Sequence, residues 1–227
     1  MHIGIIGGIG PAATVFYYER IVAQLALSNI TPALTIAHSS ALMLSRNVTA
    51  GNQQAQSEEF LRISQRLADA GADALVISSM GGHFCADTFV PMSPLPLISG
   101  PHAVAAYLKA EGISRIGILG TRVVMQTGLY GALDGIEAVT PQGDALTLVN
   151  DDYIAIAVTG AANDTQRDRL VRAGRHLVQK QGAQAVLLGG TDLNVAYNGV
   201  ECDFRVIDSA QIHVDAIVEA ILANASG

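Results

Sequence analysis

Short β-branched runs alternate along this chain with longer stretches of helical spacing, the pattern of βαβ units around a mainly parallel sheet. The strands predicted from it are His2–Ile6, Ala33–His38, Ala74–Ser78, Leu97–Ile98, Arg115–Leu119, Ala145–Leu148, Ala185–Leu188 and Arg205–Ile207. Helices are predicted over Ala12–Leu27, Asn52–Ala70, Pro101–Glu111, Val124–Ile136, Asp164–Gln181 and Ala210–Asn224. Within Asn52–Ala70, apolar residues recur at Phe60, Ile63, Leu67 and Ala70 with polar residues between, which is helical spacing.

The pattern also repeats. Ile3-Gly4-Ile5-Ile6-Gly7-Gly8 returns as Ile116-Gly117-Ile118-Leu119-Gly120-Thr121, and Tyr17 has its counterpart in Tyr130. Further on, Gly71-Ala72-Asp73-Ala74-Leu75-Val76-Ile77 returns as Gly182-Ala183-Gln184-Ala185-Val186-Leu187-Leu188. Two matches in the same order point to two homologous halves. The expected fold is α/β, with two similar doubly wound parallel-sheet domains related by a pseudo-two-fold axis and a site in the cleft between them. Residues 1–99, completed by the C-terminal helix within 208–227, would form the first domain, and 100–207 the second. Ligands of open parallel sheets bind beyond the carboxyl ends of the strands. The loops after Ile6, Ile77, Leu119 and Leu188 are therefore the places to look for chemistry.

After Ile6 comes Gly7-Gly8-Ile9-Gly10-Pro11, glycines for a sharp turn and a proline suited to a first helical turn. Backbone N–H groups at such a turn favour a carboxylate or phosphate. The run is an incomplete dinucleotide fingerprint, with Ala13 at the third glycine and no acidic residue closing the next strand. A small-anion site, a nucleotide site and a plain structural turn are the alternatives. After Ile77 comes Ser78-Ser79-Met80-Gly81-Gly82-His83, and its counterpart in the repeat is Gly189-Gly190-Thr191-Asp192, which sets Ser79 against Gly190. His83 could face the site or serve the structure, and Asp192 could cap a helix or act as a base.

Composition narrows the partners. Of 227 residues, 50% are hydrophobic and 15% charged, as in a compact globular protein. The formal charge of −7 makes nucleic acid an unsuitable partner. No run reads as a membrane span or signal peptide, so a cytoplasmic location is expected. Cys85 and Cys202 form no metal motif and read as ordinary thiols.

The segments Ile3–Thr14, Leu119–Arg122 through Gly128–Tyr130, Gly189–Leu193 and Val206–His213 together resemble the aspartate/glutamate racemase superfamily, and its aspartate racemase branch in particular. The resemblance spans almost the whole chain. It implies an amino-acid racemase that needs no pyridoxal phosphate or other cofactor, acts on a small carboxylate-bearing substrate such as aspartate or glutamate, and forms a homodimer. It also implies two thiols on opposite faces of the substrate α-carbon. Here the sequence departs from the family: the first thiol position falls on Ser79, with Met80 and Gly81 in place of Asn-Thr and His83 kept, and the second falls on Gly190, with Asp192 in place of a glutamate. A non-standard catalytic set of Ser79, Asp192 and His83 is the resulting expectation. Substrate contacts are expected from Gly8, Ile9, Ser39, Met80, Gly81, Thr121, Gly190 and Thr191, with Arg46 as a carboxylate clamp and no metal. A lyase or other reaction on the same scaffold, and a ligand-binding paralogue without catalysis, are the alternatives.

Overall fold

In the computed structural model, which describes residues 1–225, the chain divides into two compact units, Met1–Ala103 with the residues from Ala210 onward, and Val104–Ser209. The expected first domain ran to residue 227, so its last two residues, Ser226 and Gly227, lie outside the described part. Each unit is built on a parallel sheet flanked by helices.

The first unit runs β1 His2–Gly7, α1 Pro11–Leu27, β2 Ala33–His38, α2 Ala41–Thr49, α3 Gln53–Asp69 and β3 Ala74–Ile77. A 3-10 turn over Gly81–Cys85 and the short α4 Ala86–Phe89 lead to α5 Gly100–Ala110, in which the two units join. Its three strands lie in the order β2-β1-β3, all parallel. The second unit runs β4 Arg115–Leu119, α6 Arg122–Thr127, β5 Glu137–Val139, α7 Asp144–Thr159, α8 Asp164–Gln181, β6 Ala185–Leu188, α9 Leu193–Tyr197 and β7 Val206–Asp208. Its strands lie in the order β5-β4-β6-β7, again parallel. The C-terminal helix α10, Ser209–Ala225, belongs to the first unit from Ala210 on.

The sequence repeat is a repeat of pairing. Ile3 sits opposite Ala74 and Ile6 opposite Ile77; in the second unit Ile116 sits opposite Ala185 and Leu119 opposite Leu188. Even the entry to each pair is shared. The backbone N–H of His2 donates to the side chain of Asp73 (2.7 Å), and that of Arg115 to the side chain of Gln184 (2.9 Å).

The reason a glycine recurs inside both central strands is steric. A Cβ on Gly4 would stand 3.0 Å from Cβ of Leu67 and 3.1 Å from that of Ala72; one on Gly117 would stand 3.0 Å from Cβ of Leu177 and 3.4 Å from that of Ala183. The absent side chain lets α3 and α8 lie directly on their strands. On the opposite face of the first sheet, Ile3, Ile5 and Val76 pack with Tyr17, Ile21 and Leu25 of α1 and Val214, Ile217 and Ile221 of α10. Alternation along β1 thus serves two helical layers.

The structure departs from the sequence expectation at several places. Ala145–Leu148, expected as a strand, is the start of α7, and the edge strand of that sheet is Glu137–Val139 instead. A helix wins because Leu146, Val149, Tyr153 and Ile156 are all buried, a three-and-four spacing that no strand could satisfy. The helix expected to run to Ile136 ends at Thr127, since Gly128 (φ 58), Leu129 (φ 58) and Tyr130 (φ 61) turn left-handed. Leu97–Ile98 contributes a single parallel bridge, Leu75 to Leu97, and no strand. The last strand is shifted by one residue to Val206–Asp208. Among the described residues, no helix is long and apolar enough to cross a membrane.

The glycine contact makes a prediction. Gly117→Val should lower the stability measured by urea unfolding by roughly 1–3 kcal/mol, because the added carbons drive Leu177 and its helix off the sheet.

Candidate functional site

In each sheet the chain leaves the central strand for a neighbour on one side and then crosses to its other side, from β1 to β2 and on to β3, from β4 to β5 and on to β6. The crevice at such a reversal, at the carboxyl ends of the strands, is where open α/β sheets hold ligands. The residues at these two points are the loops after β1 and β3 in the first unit and after β4 and β6 in the second.

In the first unit, Gly8 (φ 78) and Gly10 (φ 120) carry the turn into α1, and Pro11 occupies its first turn. Gly8 is also covered by the ring of His38, which a Cβ there would overlap. Its N–H donates to Oγ1 of Thr14 (2.9 Å), which lies 3.0 Å from Oγ of Ser78 at the end of β3. The turn is thereby tied to the neighbouring strand end. Ile9 is buried, its Cδ1 against Gly82, so it could meet a ligand only through its backbone. Ser39, at the end of β2, is 4% exposed, donates its N–H to the Gly7 carbonyl (2.8 Å), and has a buried Oγ with no hydrogen-bond partner. An orphaned buried hydroxyl at a strand end calls for an explanation, and a ligand atom supplies one. Arg46 is exposed in the last turn of α2.

Ser79 is buried at the end of β3, Met80 fully so, and Gly81 follows with Oγ of Ser79 3.5 Å from where its Cβ would be. His83 does not fit the proton-carrier role expected of it. Its Nδ1 is 2.9 Å from the Ser79 carbonyl and its Nε2 accepts from the backbone N–H of Gly100 (3.2 Å), so Nδ1 carries the hydrogen and both nitrogens are spent on the main chain. Burial, reinforced by nearby His213, pushes His83 down to about 3. His213 on α10 is equally enclosed: Tyr17 Oη is 2.9 Å from its Nδ1 and the Ile98 carbonyl 2.8 Å from its Nε2, and burial lowers it to about 4. The two rings meet edge to face, centroids 5.8 Å apart. They brace the loop that carries Ser79. Cys85 is a buried thiol whose Sγ is 3.6 Å from the Gly82 carbonyl; burial pushes it up to about 11, so it is not a ready thiolate.

In the second unit the strand ends approach closely. A Cβ on Gly120 would stand 3.2 Å from the carbonyl carbon of Gly189. Thr121 caps α6, its Oγ1 accepting from the Val124 N–H (3.3 Å), which leaves the hydroxyl hydrogen for another acceptor. Thr191 is 1% exposed and its Oγ1 makes no hydrogen bond of good geometry. Asp192 is 2% exposed and precedes α9 without capping it through its side chain. Its Oδ2 accepts instead from the hydroxyl of Tyr153 on α7 (3.5 Å).

Tyr153 is the residue that sequence reasoning missed. Its ring packs directly on Gly190, and burial, with the charge of Asp192 second, holds its phenol well above the usual range. The spacing of Leu146, Val149, Tyr153 and Ile156 carried the signal, but reading Ala145–Leu148 as a strand hid it. The neighbouring Asp152 is bound by both carboxylate oxygens to Nη1 of Arg169 on α8 (3.0 Å each), which ties α7 to α8 beside Tyr153.

The buried histidines make stability depend on acid. Both rings are neutral in the folded protein and titrate near 6.5 when unfolded, so the unfolded chain binds more protons as pH falls below 6.5. Stability present at pH 7.5 should be lost on acidification towards pH 4, at about 1.4 kcal/mol per pH unit for each ring. Urea unfolding at pH 7.5, 6 and 5 measures this slope, and His213→Gln should reduce it by about half.

A family model for Asp/Glu/hydantoin racemases matches residues 6–217. Among solved structures, a candidate Asp/Glu racemase from Yersinia pestis is 29% identical, with a TM-score of 0.84 and coverage of 98% of this chain and 100% of that one. An aspartate racemase homologue from Pyrococcus horikoshii OT3 is 24% identical, with a TM-score of 0.79 and coverage of 96% and 98%. A glutamate racemase from Francisella tularensis, solved with D-glutamate, is 13% identical, with a TM-score of 0.68 and coverage of 99% and 82%. The last two likenesses speak for the fold.

Proposed function

Because the chain belongs to the Asp/Glu/hydantoin racemase family, we propose that it is a racemase-type isomerase of a small acidic amino acid such as aspartate or glutamate, working without an organic cofactor and with a non-standard proton-transfer set. The observation that carries this reading is the character of the strand ends. Ser39 and Ser79 in the first unit, and Thr191 and Asp192 in the second, are polar, nearly inaccessible and set at the carboxyl ends of strands of their own sheet. The Ser39 hydroxyl, buried without a partner, suits the carboxylate or ammonium of such a substrate.

Racemisation removes the α-proton from one face and returns a proton to the other, so it needs a group that accepts and a group that donates. Asp192 is the acceptor available in the second unit, a carboxylate shielded from water. Ser79 is the proton-bearing group in the first, a far weaker acceptor than a thiolate. The turn at Gly8, with Thr121 and Arg46, is assigned to holding the substrate carboxylates, since N–H groups, hydroxyls and a guanidinium all donate to them. A second reading, a binding protein that has lost catalysis, is favoured by the bare backbone at Gly190.

Incubation in D₂O with each enantiomer of aspartate and glutamate separates the two. Incorporation of α-deuterium, reduced on the order of 10²-fold or more in Asp192→Asn, is expected. Thermal stabilisation by these ligands with no deuterium in any of the four favours the binding protein instead.

A further inference from the structure

Gly190 carries no side chain, yet the space for one is taken. A Cβ on Gly190 would overlap Cε2 of Tyr153 and stand 2.8 Å from its Cδ2 and its Cζ. Nothing in the backbone demands glycine here, because the φ of Gly190 is not among the left-handed ones. The glycine is required by the ring that lies on it. That ring is 7% exposed, and its hydroxyl is directed at Oδ2 of Asp192, 3.5 Å away and itself 2% exposed. The Asp152–Arg169 ion pair one residue away ties α7 to α8 beside the ring.

We infer that Tyr153 is the group through which the second unit passes its proton, relaying between Asp192 and the substrate at the carboxyl end of β6; this inference rests on the racemase-type reading. A buried phenol beside a carboxylate stays protonated, so it can act as a donor at once and as an acceptor only while giving its own proton away. The step is therefore paired. As the substrate C–H bond breaks, its proton joins the phenol oxygen while the phenol hydrogen moves to Oδ2 of Asp192. The electron pair stays on carbon, Asp192 becomes the neutral acid, and no free phenolate forms. In the return direction the acid proton of Asp192 passes through the phenol to the carbanion, and the C–H bond is restored with Asp192 again a carboxylate. Atoms and charge balance without any further reactant.

The experiment is α-deuterium incorporation into both enantiomers of aspartate and glutamate in D₂O by wild type, Tyr153→Phe, Asp192→Asn and the double variant, alongside their thermal unfolding midpoints. Phenylalanine keeps the ring on Gly190 and removes only the O–H. Tyr153→Phe is expected to lose on the order of 10²-fold or more of the exchange rate with its unfolding midpoint unchanged. The double variant should be no slower than the slower single variant, because groups acting in series do not add. A Tyr153→Phe rate equal to wild type overturns the relay and leaves the racemase reading standing. So does a loss that appears only with a fallen midpoint, or losses that multiply in the double variant. No exchange by the wild-type protein overturns the racemase reading and the relay with it.

Discussion

Two helices can lie against two strands in this protein only because each strand omits a side chain at its centre. The contact of Gly4 with Leu67 and Ala72, and of Gly117 with Leu177 and Ala183, sets how near α3 and α8 come to their sheets. It follows that β1 and β4 are the strands on which each unit is organised, paired on both sides and buried on both faces. A central strand with a partner on each side is also the strand at which the chain changes direction. The reversal point, and with it the place where backbone groups converge without a helix covering them, is thereby tied to a packing requirement some distance down the strand.

At those reversal points the protein accepts polar groups in places almost closed to water. In the first unit the polar atoms are largely consumed internally: Thr14 with Gly8 and Ser78, His83 with Ser79 and Gly100, His213 with Tyr17 and Ile98. Each histidine is held in one tautomer by a carbonyl at one nitrogen and a donor at the other. Such a frame keeps a loop in one conformation but has no proton to spare. In the second unit a phenol and a carboxylate meet each other instead, Tyr153 against Asp192. The two units share a backbone plan and differ in what their strand ends can do.

Much of the fold was legible because short β-branched runs set off by longer helical stretches mark its strands. Ala33–His38, Arg115–Leu119 and Ala185–Leu188 match the structure residue for residue, and glycines within the repeat marked equivalent pairing. The legibility failed where an apolar run was too short to show its period. Ala145–Leu148 is compatible with either geometry in isolation, and only the burial of Val149, Tyr153 and Ile156 beyond it decides for a helix. The candidate site was legible to the same depth. Loops after strands announce themselves through glycines and hydroxyls, so Gly8, Ser39, Ser79, Thr191 and Asp192 could be picked out. His83 was picked out too, but its role depends on which atoms its two nitrogens meet, and that is a tertiary fact. Tyr153 reaches Gly190 from 37 residues away in sequence, since 190 − 153 = 37, and no local pattern encodes such a contact.

That contact has a consequence over evolutionary time. A side chain can return to position 190 only if the residue at 153 becomes smaller. Changing 190 first produces an overlap with a ring; changing 153 first opens a void of the kind that costs about 3–5 kcal/mol when a large aromatic is lost from a core. Both single steps pass through a weakened protein, so the two positions travel together. Descendants of this sequence are held to a bare backbone at 190 for as long as they keep an aromatic ring at 153.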